Sequence, residues 1–189
     1  CSYCIIPKIR GRFRSVPMQE LLNEAKRLAS EGVKELVLVA QETTLYGKDL
    51  TGEKQLPLLL HELCKIEGIE WIRLLYCYPE EITDELIKVI KTEEKVCNYI
   101  DMPIQHSENR ILQRMGRRTS REDLVAVIKK LRKEIPDITI RTTLITGFPG
   151  ESQEDHEGLM NFVEECQFDR LGVFTYSPEE DTLAATFED

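Results

Sequence analysis

Cys1 and Cys4, three positions apart at the head of the chain, are the residues best placed to do metal chemistry. Such a pair presents two thiolates to one centre, and three chemistries use it: half of a zinc site, a thioredoxin-like redox pair, or part of an iron–sulfur loop. A structural zinc site needs four ligands, usually as two pairs, and neither a second Cys-x-x-Cys nor a His-x-x-x-His follows. A thioredoxin-like pair should open a helix, and Ile5-Ile6-Pro7 is a poor helix start. A cluster with one iron left open needs three thiolates in a compact loop. Cys1 and Cys4 would be two of them, with the third expected just upstream, since no methionine precedes Cys1 and the sequence reads as a piece of a longer protein. Cys64, Cys77, Cys97 and Cys166 are scattered without framework spacing. They read as buried core thiols in a reducing compartment.

A second set of residues sits just after apolar runs: Gln41-Glu42-Thr43-Thr44, Tyr78-Pro79-Glu80-Glu81, Gln105-His106-Ser107, Gly147-Phe148-Pro149-Gly150-Glu151 and Ser177-Pro178-Glu179. The elements that must position them alternate. Helices are expected over 16–30, 56–66, 83–91, 110–115, 119–135 and 152–166, and strands over 36–40, 71–77, 99–104, 138–145 and 171–176. Apolar strands alternating with amphipathic helices imply a parallel sheet covered by helices. Five strands are too few for a closed eight-stranded barrel. In parallel α/β folds sites form at the carboxyl ends of the strands, so all five polar stretches should meet at one rim, with a further strand expected ahead of Cys1. The turn at Gly147 and Gly150 is where missing side chains would let a ligand approach the backbone. It is not a phosphate-binding P-loop, because no Gly-Lys-Ser/Thr follows. His106 falls at the rim, and His61 and His156 should face solvent.

Composition bounds the function. With 41% hydrophobic and 31% charged residues, 189 residues make one ordinary globular domain. No apolar run approaches a membrane span. A net charge of −9 disfavours general nucleic-acid binding. Two basic clusters run against that average: Lys8, Arg10, Arg12 and Arg14, and Arg110, Arg114, Arg117, Arg118 and Arg121. Both read first as solvated faces and second as sites of anion or substrate contact.

Cys-Ser-Tyr-Cys followed by Ile-Ile-Pro-Lys-Ile-Arg-Gly-Arg-Phe-Arg-Ser resembles the second half of the CxxxCxxC loop of radical S-adenosylmethionine (SAM) enzymes, in the form carried by methylthiotransferases. Val39-Ala40-Gln41-Glu42-Thr43-Thr44-Leu45-Tyr46-Gly47, Leu74-Leu75-Tyr76-Cys77-Tyr78-Pro79, Asp101-Met102-Pro103-Ile104-Gln105-His106, Ile145-Thr146-Gly147-Phe148-Pro149-Gly150-Glu151 and Phe174-Thr175-Tyr176-Ser177-Pro178-Glu179 follow in that family's order. The stretches are most similar to the branch that modifies an aspartate of a small-subunit ribosomal protein. The tRNA adenosine branch is the alternative, and a non-catalytic α/β interaction module is a third.

The resemblance implies a partial (β/α)6 TIM-like barrel, its first strand truncated, with residues 1–189 as the radical SAM core. Domains outside these residues would hold a second [4Fe-4S] cluster and any RNA contact. It implies Cys1 and Cys4 as ligands of a [4Fe-4S] cluster, and reductive cleavage of SAM to a 5′-deoxyadenosyl radical. Gln41, Gln105, Arg141, Gly147 and Gly150 would contact SAM, and Tyr3 would shield the cluster. An electron donor, a ribosomal protein partner and a cytoplasmic location follow. The fragment alone is expected to be inactive. Asp181-Thr182-Leu183-Ala184-Ala185 departs from the Gly-Thr-Pro-Ala-Ala of the family.

Overall fold

The computed structural model describes residues 1–188. Five strands form: β1 (Glu35–Leu38), β2 (Trp71–Leu74), β3 (Tyr99–Asp101), β4 (Thr139–Thr146) and β5 (Arg170–Thr175). Every strand pairing among the described residues is parallel: β1 with β2, β3 with β4, and β4 with β5. A looser seam joins the two groups, where Ile72 exchanges bonds with the residues just ahead of β3 (Ile72 N to Lys95 O, 2.7 Å; Cys97 N to Ile72 O, 2.9 Å). The strand order therefore follows the chain, as right-handed β-α-β crossovers in one direction require. The barrel is partial and open.

The helices are α1 (Ile6–Arg10), α2 (Met18–Ser30), α3 (Lys48–Thr51), α4 (Leu56–Cys64), α5 (Asp84–Thr92), α6 (Asn109–Arg114), α7 (Arg121–Glu134) and α8 (Gln153–Cys166). Local chemistry sets their starts. Thr83 Oγ1 accepts from Leu86 N to cap α5. Ser120 with Asp123, and Ser152 with Asp155, form reciprocal capping boxes on α7 and α8, each worth about 1 kcal/mol. Pro17 caps α2 from outside instead of entering its first turn. The expectation that Ile5-Ile6-Pro7 opposes a helix is corrected by α1. Pro7 lies at its start, where no N–H is needed.

The strands are not apolar on both faces. Leu36, Ile72, Leu74, Ile100, Ile140 and Leu144 are buried in the core with Leu59, Leu60, Leu63, Leu86, Ile90, Leu124, Ile128, Leu131 and Phe162 of the helices. Each such side chain contributes about 1.5–3 kcal/mol. The opposite face carries Val37, Arg73, Asp101 and Arg141, in register with one another along the strand pairs. It is not covered by helices, and Val37 remains exposed. Cys77 and Cys166 are core thiols as expected, whereas Cys64 and Cys97 are only half-buried. Among the described residues no helix is long and apolar enough to cross a membrane.

Candidate functional site

The polar stretches meet at the carboxyl rim of the sheet, and hydrogen bonds tie neighbouring strand ends together. Thr43 N donates to Tyr76 O at 3.0 Å and Cys77 N to Asp101 O at 2.8 Å. Tyr76 and Gln105 adopt positive φ, +58° and +73°, sparsely populated for side-chain-bearing residues. Buried groups hold them. Asp101 Oδ2 accepts from Tyr76 N at 3.1 Å while its Oδ1 accepts from Arg141 Nη1 at 2.5 Å. Gln105 N donates to Thr143 O, and Ile145 N donates to Gln105 O. Arg141 is thus already paired with a carboxylate on the open face.

The 147–151 turn is closed by its own glutamate. Glu151 Oε2 accepts from Phe148 N at 3.0 Å. Glu151 Oε1 lies 3.2 Å from His156 Nδ1 and 3.6 Å from His106 Nε2. His106 Nδ1 accepts from Glu108 N, which leaves the ring proton on Nε2, facing Glu151. Burial depresses the His106 pKa and outweighs the pull of Glu151. His106 is fully buried at the rim. His156 faces solvent only in part, with its side chain 39% exposed and its Nδ1 held by Thr146 Oγ1 and Glu151. His61 is exposed and pairs with Glu93. Gly147 has φ +69° and open space where a Cβ would stand. Gly150 has φ +82°, and its Cβ direction is filled by the Arg114 guanidinium at 3.0 Å.

The cysteine loop packs beside this turn. Tyr3 meets Phe148 edge-on at 6.2 Å, and burial pushes the Tyr3 phenol up to about 12. Ser2 is anchored at three points: its N donates to Met115 O at 2.8 Å, its Oγ to Arg114 O at 2.7 Å, and its O accepts from Ala184 N at 2.8 Å. Cys1 and Cys4 are in no disulfide. A cleft of 1190 Å³ opens against the loop, lined among others by Cys1, Arg12, Gln41, Glu42, Tyr78 and Arg117. Glu42 is 7% exposed. Its Oε1 accepts from Thr44 Oγ1, Thr44 N and Tyr78 N, while its Oε2 is buried with no hydrogen-bond partner among the described residues. Desolvation outweighs the accepted bonds and pushes its pKa up to about 7.

The radical SAM superfamily model matches residues 1–163. The chain belongs to the radical SAM superfamily. It is 67% identical over all 189 residues to the ribosomal protein uS12 methylthiotransferase RimO of Lachnoclostridium phytofermentans, and 60% identical to the RimO of Clostridium perfringens. It spans 43% and 42% of those proteins, less than half of each. Among solved structures it superposes on the radical SAM methyltransferase TsrM of Kitasatospora setae with TM-score 0.79 at 18% identity, over 98% of this chain and 36% of that one. Methylornithine synthase (PylB) gives 0.67 at 16%, over 100% and 53%. At such identities these likenesses speak for the fold.

Within this radical SAM core, Cys1 and Gln41 share the cleft. Gln105, Arg141, Gly147 and Gly150 lie on or just inside the rim but do not line that cleft. Sequence reasoning passed over Glu42, Asp101, Glu151 and Arg117. The first three were legible as acids at strand ends, where a lone carboxylate is rarely there for solubility. Arg117 carried no signal beyond its basic cluster. That cluster divides: Arg114 donates to Pro149 O and Arg121 pairs with Glu108 at 2.7 Å, so these two are held in place, whereas Arg110 and Arg118 are exposed and Arg117 and Arg118 line the cleft. Arg10, Arg12 and Arg14 of the first cluster line the cleft.

Proposed function

We propose that this chain is the SAM-cleaving core of a methylthiotransferase that modifies an aspartate of ribosomal protein uS12. The observation that carries the reading is the 67% identity, across all 189 residues, to an enzyme named for that activity. Cys1 and Cys4 fit as ligands of a [4Fe-4S] cluster: they are two thiols from one anchored loop, uncommitted to disulfides, and Cys1 lines a cleft with several arginines that suit an anionic thiolate cluster. Among the described residues no group of three or more His, Cys, Asp and Glu side chains could hold a metal ion, so a third thiolate would come from outside them. Held there by Cys1, Cys4 and that third thiolate, such a cluster would supply the electron for reductive cleavage of SAM.

The chain's own residues position and enclose. Gly147 leaves backbone open to SAM where any side chain would intrude. Gln41 and Gln105 offer amides along the rim, and Arg141 a guanidinium held by Asp101. Gly150 serves by admitting Arg114, which fixes the turn. The auxiliary cluster, the external one-electron donor and any RNA contact belong to the whole protein, which would work in the cytoplasm, where ribosomes are assembled. A charge of −9 favours a Lys- and Arg-rich protein partner over a polyanion. Mass spectrometry on cells lacking the gene tests this. The methylthio group should vanish from uS12 while tRNA keeps its 2-methylthio groups. Loss from tRNA with uS12 still modified would assign the chain to the tRNA branch.

A further inference from the structure

Arg117 is 8% exposed, and arginine is almost never so buried without a partner. Its Nη2 donates to Pro103 O at 2.6 Å, and its Nη1 lies 3.7 Å from Cys1 Sγ. Its guanidinium carbon sits 4.4 Å from the centroid of the Tyr78 ring. Its Nε is buried with no hydrogen-bond partner, and among the described residues no carboxylate forms an ion pair with it. Taking a cation out of water costs several kcal/mol unless an anion compensates. A carbonyl, a ring face and a sulfur recover part of that cost. The Tyr3 and Tyr78 phenols also lie near the guanidinium but are held neutral by burial, so the Cys1 sulfur, as a ligand thiolate, is the anion the guanidinium is placed to meet. The backbone enforces the approach. Gly116 has φ +71°, and a Cβ there would stand 3.6 Å from Cys1 Cα. Ser2 N is bonded to Met115 O. Residues 114–117 therefore cradle the loop and deliver the guanidinium to its first sulfur.

We propose that Arg117 is a positioning residue for the cluster held by Cys1 and Cys4, one that hydrogen-bonds a ligand sulfur and raises the cluster's reduction potential. The physics is direct. An electron accepted from a low-potential one-electron donor makes the cluster more negative. A fixed cation beside a ligand sulfur stabilises that state over the oxidised one. Pro103 O and the Tyr78 ring keep the guanidinium in place in both states.

The inference rests on Cys1 as a ligand, and the test separates the two. In the reconstituted full-length enzyme, redox titration followed by electron paramagnetic resonance reads the reduced fraction of this cluster. Arg117→Met keeps the stem and removes the charge. At a fixed solution potential its reduced-to-oxidised ratio should fall about tenfold, equivalent to about 59 mV for one electron, with iron content unchanged. Arg117→Lys should recover most of that loss. A ratio equal to wild type in Arg117→Met overturns the proposal. If that variant does not fold, wild-type enzyme labelled with nitrogen-15 arginine decides: the reduced cluster should show hyperfine coupling to a labelled nitrogen, and its absence overturns the proposal. Cys1→Ala retaining full iron would instead remove the premise, the ligand assignment itself.

Discussion

The 147–151 turn and the cysteine loop are neighbours on one rim, joined through Tyr3 and Phe148, yet they are built in opposite ways. The turn is held mainly by its own glutamate and an aromatic cluster, although His106 Nε2 and the Tyr176 hydroxyl beside it are also buried without a hydrogen-bond partner among the described residues. Both oxygens of Glu151 are engaged, and Phe148 is buried among Tyr3, Tyr176 and Phe187. The loop's surroundings are left incomplete: Glu42 Oε2 and Arg117 Nε are buried without hydrogen-bond partners, and two thiols are uncommitted. Native proteins rarely leave such groups unmatched. The contrast separates a scaffold finished by folding from a site finished by what binds to it. Substitutions in the turn should therefore act first on stability, with Gly147 alone also reaching SAM binding, and those around the loop on cluster binding and pH dependence.

The largest effect should come from Glu151→Ala. It leaves Phe148 N without an acceptor and removes the carboxylate that His156 bonds and His106 faces, a loss of about 3–4 kcal/mol, measurable by urea unfolding. Parity with wild type would mean the turn does not depend on its glutamate. Next is Glu42, whose carboxyl is raised from 4.5 to about 7. The folded state then binds more protons than the unfolded state between those values. Stability is present below about pH 4.5 and is lost as pH rises through 7, by about 3 kcal/mol. Glu42→Gln should flatten that slope, and an unchanged pH profile would place the group elsewhere. Gly147→Val forces a β-branched residue to φ +69°. It should cost about 1–2 kcal/mol and weaken SAM binding by calorimetry, and unchanged affinity would remove the turn from the SAM site. The smallest effect should be Cys64→Ala. This half-buried helical thiol should cost less than about 1 kcal/mol and leave iron content intact.

How far the sequence revealed this follows from the range of the forces involved. Helix starts at Thr83, Ser120 and Ser152 were legible because a cap acts within four residues, and the strands because apolar runs flanked by breakers are local. That Gln41, Gln105 and Gly147 each follow the carboxyl end of a strand was legible from the parallel topology alone, whereas only Gln41 of the three lines the cleft beside Cys1. What was not legible depends on pairings distant in sequence. Arg117 meets Cys1 across 116 positions. Arg141, read as a ligand contact, is held by Asp101 across 40. Gly150 was singled out as an approach point for a ligand, but the side chain that approaches it is Arg114. The short helix after the cysteines was missed because Pro7 was weighed as a breaker, whereas in the first turn, where its N–H is not needed, it is tolerated.

The central claim is that Cys1 and Cys4 are ligands of the cluster that cleaves SAM, and iron analysis of single cysteine variants of the full-length enzyme tests it most directly. Cys1→Ala and Cys4→Ala should each lose the visible absorbance and the iron of one cluster, together with SAM cleavage, because a site of three thiolates has no spare ligand, while Cys166→Ala keeps both. A Cys4→Ala enzyme with full iron content and undiminished SAM cleavage would contradict the account.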